Sequence, residues 1–225
     1  LLLINSPHNP TGMVLNAAER EAIARVAVEH DLLVACDEVY EHLTFDEPHV
    51  PLATLPGMTG RTIQISSAAK TFSVTGWKVG WVCASRELVD AITTTKQFLT
   101  YVNAGPFQYA VAAGLDLPDD RFARLAADLR AQRDILIPGL DAAGFAVHPS
   151  HGSYFVVADA APLGVTDGLE FCRRLPELCG VVAVPNQVFY ADPDAGVTSL
   201  IRFGFCKRPE VLTEAADRLT RLANR

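Results

Sequence analysis

Apolar residues in this chain come in short unbroken runs, divided by polar links rich in Pro, Gly, Asn and Asp. Leu1–Ile4 and Leu32–Cys36 are continuous runs of the kind buried in parallel sheets. Thr62–Ser66 and Val79–Cys83 read as two further strands. Between the first two runs, residues 17–30 predict a helix: Asn16 and Glu19 have capping-box spacing, and Ile23, Val26 and Ala27 form its apolar stripe. Strand–helix–strand alternation with short links predicts a mostly parallel α/β sheet with right-handed crossovers. Ligands of such sheets bind beyond the carboxyl ends of the strands. Three polar clusters, 5–12, 37–40 and 66–70, stand at those ends and are predicted to converge on one site.

Helical patterns follow over 87–100 and 106–116, then a long one over 119–143, in which Pro138 predicts a kink or break. The tail changes character. Short strand patterns near 145–148, 153–158, 181–184 and 199–205 alternate with helical ones near 168–178 and 209–223. This is an α+β module, so the expected organisation is a first domain over 1–118 and a second, smaller one over 119–225, entered through the long interdomain helix.

Composition narrows the field. With 49% hydrophobic and 20% charged residues over 225 positions, the chain can bury a real core and is not disordered. A net charge of -7 without Lys/Arg runs argues against nucleic acid or an anionic membrane as partner. No apolar stretch approaches the roughly 20 residues of a membrane span. The five cysteines, Cys36, Cys83, Cys172, Cys179 and Cys206, are odd in number and include no CxxC pair. Buried free thiols in a reducing cytoplasm are the expectation, over disulfides or zinc. The start lacks the basic region of a signal peptide; it opens with Leu rather than Met inside a strand-like run, so we read the chain as the C-terminal piece of something longer.

Lys70 follows a strand end among small and apolar residues, the setting of a lysine with a depressed pKa that could form a Schiff base. Four segments then act together: SPHNPTG (6–12), DEVYEHLTFD (37–46), SSAAKTFSVTGWKVGW (66–81) and IRFGFCK (201–207). In order and spacing they closely resemble fold-type I, pyridoxal-phosphate-dependent aminotransferases. The likeness is to the kynurenine/methionine-like or N-succinyldiaminopimelate-type branch, and it spans essentially the whole chain.

The resemblance implies an incomplete large domain with a mostly parallel sheet, followed by a small α+β domain, and it implies roles for individual residues. Lys70 matches the Schiff-base lysine, which then carries a proton as base and acid. Asp37 matches the carboxylate that keeps the pyridine nitrogen protonated. Tyr40 and Asn9 match hydrogen-bond partners of the cofactor's phenolic oxygen, and Asn9 could also serve as an Asx-turn former. Ser67 and Lys78 match phosphate ligands. Arg202, a charge within an apolar strand, matches the guanidinium that grips the substrate α-carboxylate; an internal salt bridge is the plainer reading of it. Tyr101 and Asn103 lie in the segment that approaches the partner subunit's phosphate in the family. Trp77 and Trp81 read as packing.

The implied activity is ping-pong transfer of an amino group from an L-amino acid to a 2-oxo acid, by a cytoplasmic homodimer. Family members are substantially longer, and the part without a counterpart here supplies phosphate-binding amides and a ring-stacking aromatic. The expectation is therefore a fragment with exposed apolar faces and little activity alone. A C–S β-lyase would use the same residues. Ser67-x-x-Lys70 also fits the S-x-x-K pattern of serine acyl-enzyme hydrolases, although the companion motifs of that family are absent. A non-catalytic fragment that pairs with another chain is the remaining alternative.

Overall fold

The structure is a computed structural model that describes residues 1–192 and 196–223. The chain divides into two compact units, residues 1–7 with 14–125, and residues 8–13 with 126–225.

The first unit is built on a four-stranded sheet in the order β1 (Leu2–Asn5), β2 (Val34–Asp37), β3 (Thr62–Ser67), β4 (Gly80–Cys83). β1, β2 and β3 are parallel, with Asn5 opposite Asp37 and Asp37 opposite Ile65. β4 is antiparallel to β3, with Ser67 opposite Gly80. The reason is the link: after β3 the chain makes one turn of helix, α2 (Ala68–Thr71), and a 3₁₀ turn at Thr75–Trp77, then re-enters the sheet at the end it left. Gly80 is required there, because a Cβ at that position would stand 2.9 Å from the carbonyl oxygen of Ser66.

Helix α1 (Ala17–Glu29) links β1 to β2 and begins with the expected capping box: Asn16 accepts from the Glu19 amide at 3.0 Å and Glu19 accepts from the Asn16 amide at 2.8 Å. β2 reaches β3 without an α-helix, through an irregular segment with a 3₁₀ turn at Leu52–Thr54. The core beneath this half gathers Ala24, Ala27, Val34, Cys36, Leu52 and Met58, with Leu2, Ile4 and Ile23 packed against it.

Two expectations are corrected here. Val26 faces solvent, and Ala24 takes its place on the buried side of α1. β1 is buried on one face only: Leu2 and Ile4 pack inward while Leu3 is 75% exposed, since β1 ends the sheet and nothing among the described residues covers its other face.

Beyond β4 run α3 (Arg86–Leu99) and α4 (Gly105–Leu115). Val111 of α4 joins Ala68 and Val79 in a second small core, against which Trp77 and Trp81 pack, as expected of them. Helix α5 (Asp119–Ala142) is continuous through Pro138, so of the kink or break expected there the break does not occur, although the proline has no N–H to donate to the carbonyl of Asp134.

In the second unit, β5 (Ala146–Val147), β6 (Phe155–Asp159), β7 (Val184–Pro185) and β8 (Leu200–Gly204) form an antiparallel sheet in the order β5-β6-β8-β7, accompanied by α6 (Gly168–Cys179) and α7 (Pro209–Leu219). α5 and α7 approach closely where Gly139 meets Ala216. No helix among the described residues is long and apolar enough to cross a membrane.

All five cysteines are free thiols. Cys36, Cys172 and Cys179 are buried, whereas Cys83 and Cys206 are exposed. Burial, with the nearby Glu38 carboxylate, pushes the Cys36 thiol up to about 12; burial alone does the same for Cys172.

Candidate active site

The residues singled out by chemistry sort into two groups, one within each unit. In the first unit they gather at one end of the sheet. Asp37 is the last residue of β2, and its backbone is tied to β1: its carbonyl accepts from the Asn5 side-chain amide at 2.8 Å and from the Ser6 amide at 3.2 Å. The chain then turns tightly, with Glu41 N–H donating to the Glu38 carbonyl and Leu43 N–H to that of Tyr40, both at 2.8 Å. This turn leaves Tyr40 buried. It is tied in turn to β3, because the Ser66 hydroxyl donates to the Glu41 carboxylate.

Ser67 closes β3 and caps α2, its hydroxyl accepting from the Ala69 amide at 3.3 Å. Lys70 stands on that single helical turn, half-buried. Lys78 precedes β4 in the left-handed region, φ 54°, and lies beside this turn because the Ala68 amide donates to Val79 at 3.1 Å. Asp37, Tyr40, Ser67, Lys70 and Lys78 therefore all stand at the carboxyl ends of β2 and β3 or the start of their neighbour β4.

Asn103, left unassigned by its motif, donates to the Lys78 carbonyl at 2.7 Å and so helps hold that backbone conformation. Tyr101 is exposed. His42, next to the turn, stacks on Phe122 at a centroid distance of 4.5 Å.

The second group is Asn9 and Arg202. Residues 8–13 are held to the second unit through Gly12, whose carbonyl accepts from the His151 and Gly152 amides at 2.9 Å each. Gly12 has φ +72°, and a Cβ there would fall 2.4 Å from the Ser150 hydroxyl oxygen, so only glycine fits. This anchorage presents Asn9 to Arg202, which donates to its Oδ1 at 2.7 Å across 193 positions of sequence. The guanidinium lies over Phe155 at 4.1 Å and Phe189 at 4.8 Å. Lying over two rings restrains the plane of the guanidinium.

Neither Phe155 nor Phe189 belongs to the four motif segments. Phe155 had a legible signal, since it shares a strand face with Val157, which pairs with Arg202. Phe189 sits at the end of a 3₁₀ turn, where no periodicity marks it.

A mostly parallel sheet carries a lysine, a carboxylate and a buried phenol at the carboxyl ends of its strands, and an amide-bound strand arginine stands elsewhere in the chain. The chain belongs to the aminotransferase class I and II family, whose profile matches residues 1–219. It is 54% identical, over its full length, to a Mycobacterium tuberculosis protein described as a probable N-succinyldiaminopimelate aminotransferase DapC, of which it covers 58%. A solved structure of the N-succinyldiaminopimelate aminotransferase from the same organism superposes with a TM-score of 0.93, covering 98% of this chain and 58% of that one. YbdL from Escherichia coli, reported as having a methionine aminotransferase function, superposes with a TM-score of 0.91 at 35% identity over 97% of this chain and 57% of its own. A kynurenine–oxoglutarate transaminase of Dictyostelium discoideum is 38% identical over 99% of this chain and 56% of its own length. The chain thus spans well under two thirds of the relatives it matches.

Proposed function

We propose that this chain serves pyridoxal-phosphate-dependent transfer of an amino group from an L-amino acid to a 2-oxo acid. Family membership supports the reaction class. The observation that carries the site is the arrangement of Asp37, Ser67, Lys70 and Lys78 at one end of adjacent strands. This donor set fits the cofactor: a carboxylate for a ring nitrogen, an amine for an aldehyde carbon, and a hydroxyl with a cation for a phosphate. Bound there, pyridoxal phosphate supplies an electron sink for the carbanion formed at the substrate's α-carbon.

The chain's own residues do the rest. Asp37 holds the proton on the ring nitrogen. Lys70 takes the proton from the substrate α-carbon and returns it on the far side of the conjugated system. Tyr40 and Asn9 hydrogen-bond the phenolic oxygen, and Ser67 and Lys78 hold the phosphate. Arg202, its plane restrained by Phe155 and Phe189 and one nitrogen engaged by Asn9, grips the substrate carboxylate.

We further propose that residues 1–118 form part of the cofactor domain and residues 119–225 the smaller one. The working form is a cytoplasmic homodimer. The 54% identity to the Mycobacterium tuberculosis protein favours an N-succinyldiaminopimelate-type donor over kynurenine or methionine.

Reduction with borohydride in the presence of pyridoxal phosphate, followed by peptide mapping, is expected to leave the pyridoxyl group on Lys70; label on another lysine, or none, would refute the assignment. Amino transfer measured with N-succinyldiaminopimelate, kynurenine and methionine as alternative donors ranks the substrates.

A further inference from the structure

Behind the turn that carries Asp37 and Tyr40 lies a buried pair that the proposed chemistry does not use. Val34, Cys36 and Glu38 alternate onto one side of the chain, the side packed on α1. An apolar stripe therefore ends in a carboxylate that is only 2% exposed. Its neighbour is His49, whose Nε2 stands 3.4 Å from Glu38 Oε1, with both side chains buried. The contact is within ion-pair distance but is not a hydrogen bond. Glu38 Oε2 and His49 Nε2 are both left without a hydrogen-bonding partner. Polar atoms buried in this way are costly, and native structures pair them with protein or with water.

Glu38 and His49 line a small cavity together with Ser6, Arg20 and Cys36, with about 10 Å³ of room for the centre of a water-sized sphere. That is about the space one water molecule needs. Ser6 and Arg20 are engaged with Leu15: the Ser6 hydroxyl accepts from its amide at 3.1 Å and Arg20 donates to its carbonyl.

We infer that one internal water bridges Glu38 Oε2 and His49 Nε2, and that the bridged pair is a strut that positions Asp37. Residue 38 is tied on both backbone sides, its amide donating to Ile65 at 2.9 Å and its carbonyl accepting from Glu41 at 2.8 Å. Anchoring its side chain at His49 then fixes the peptide that joins it to Asp37, whose side chain leaves the strand on the opposite face. Glu38 and His49 are thus positioning residues for the carboxylate, an assignment that rests on the cofactor reading above.

The test combines a high-resolution crystal structure with binding measurements on the purified protein. The crystal structure is expected to hold a water within hydrogen-bond distance of both atoms; an empty cavity overturns the bridge. Glu38→Gln is expected to weaken pyridoxal phosphate binding about tenfold and to move the visible band of the bound cofactor, while in an Asp37→Asn background the same change weakens binding less than twofold. Equal weakening in both backgrounds overturns the positioning role. So does a lower thermal midpoint of the cofactor-free protein with affinity and band unchanged, since that marks a merely structural pair. His49→Gln is expected to reproduce the result and replaces Glu38→Gln should that variant not fold. If the unsubstituted protein takes up no cofactor at Lys70, or Asp37→Asn binds it undiminished, the cofactor reading fails first and the strut with it. That failure shows without any change at positions 38 or 49.

Discussion

Lys78 concentrates the conflict between backbone comfort and function. Its φ of 54° and ψ of 42° cost a residue with a side chain about 1–2 kcal/mol. Asn103 and the adjoining ladder hold it there. Strain of this kind persists where the surroundings impose it, and it gathers at functional positions. Lys78→Gly removes the strain but also loosens the unfolded chain, so stability should move by less than about 1 kcal/mol. Affinity for pyridoxal phosphate should nonetheless fall at least roughly tenfold, the scale of one hydrogen bond to a charged group. Denaturant melts of the cofactor-free protein and a cofactor titration separate the two effects; an unchanged affinity would remove Lys78 from the phosphate site. The thiols give a second test at this scale. Cys83 and Cys206 should react rapidly with a thiol reagent in the folded protein, while Cys36, Cys172 and Cys179 react only on unfolding. With the buried Cys36 and Cys172 thiols raised from 9.0 to about 12, the unfolded chain ionises first. Their contribution to stability is therefore intact below pH 9 and is lost as pH rises towards 12. Cys36→Ala should flatten that part of the stability profile.

At the scale of elements, packing can be tested where two helices nearly touch. A Cβ at Gly139 of α5 would lie 2.4 Å from the Cβ of Ala216 on α7. Gly139→Val should therefore destabilise the protein by about 1–3 kcal/mol, despite valine's better helix propensity, because the backbones must part. A small rise in thermal midpoint instead would mean that the two helices can separate freely. The element order and most boundaries were legible, since breakers, caps and apolar periodicity are local signals: Asn16 and Glu19 announced α1, and each polar cluster marked a strand end. Orientation and facing were less so. The antiparallel entry of β4 depends on how a short link folds back, and the exposure of Leu3 depends on what packs on that face of β1; neither is written in a run of apolar letters. The site divides the same way. Lys70, Asp37 and Arg202 stood out through motifs, whereas Phe189 and the Glu38–His49 pair belong to irregular segments and become visible only as contacts.

For the whole molecule, the unresolved question is what covers the apolar surface of α3 and α4. Helix α3 has no buried residue, and from the end of α3 into α4 the large side chains of Phe98, Leu99, Tyr101, Val102 and Tyr109 lie open, Phe98 at 85% and Tyr109 at 84%. Proteins that remain monomeric rarely leave so many large apolar groups exposed on one stretch of chain. The proposed homodimer offers an economical cover, because the same segment of a second copy would bury its own apolar groups in the same contact. Since neither Phe98 nor Tyr109 touches a core, replacing both with glutamate should leave the fold within about 0.5 kcal/mol per substitution, yet set like charges against each other across any such interface. Sedimentation velocity is expected to give twice the chain mass for the unsubstituted protein and a single-chain mass for Phe98→Glu/Tyr109→Glu, with unchanged far-ultraviolet circular dichroism. A single-chain mass before substitution, or a dimer that survives both charges, would place the covering surface elsewhere.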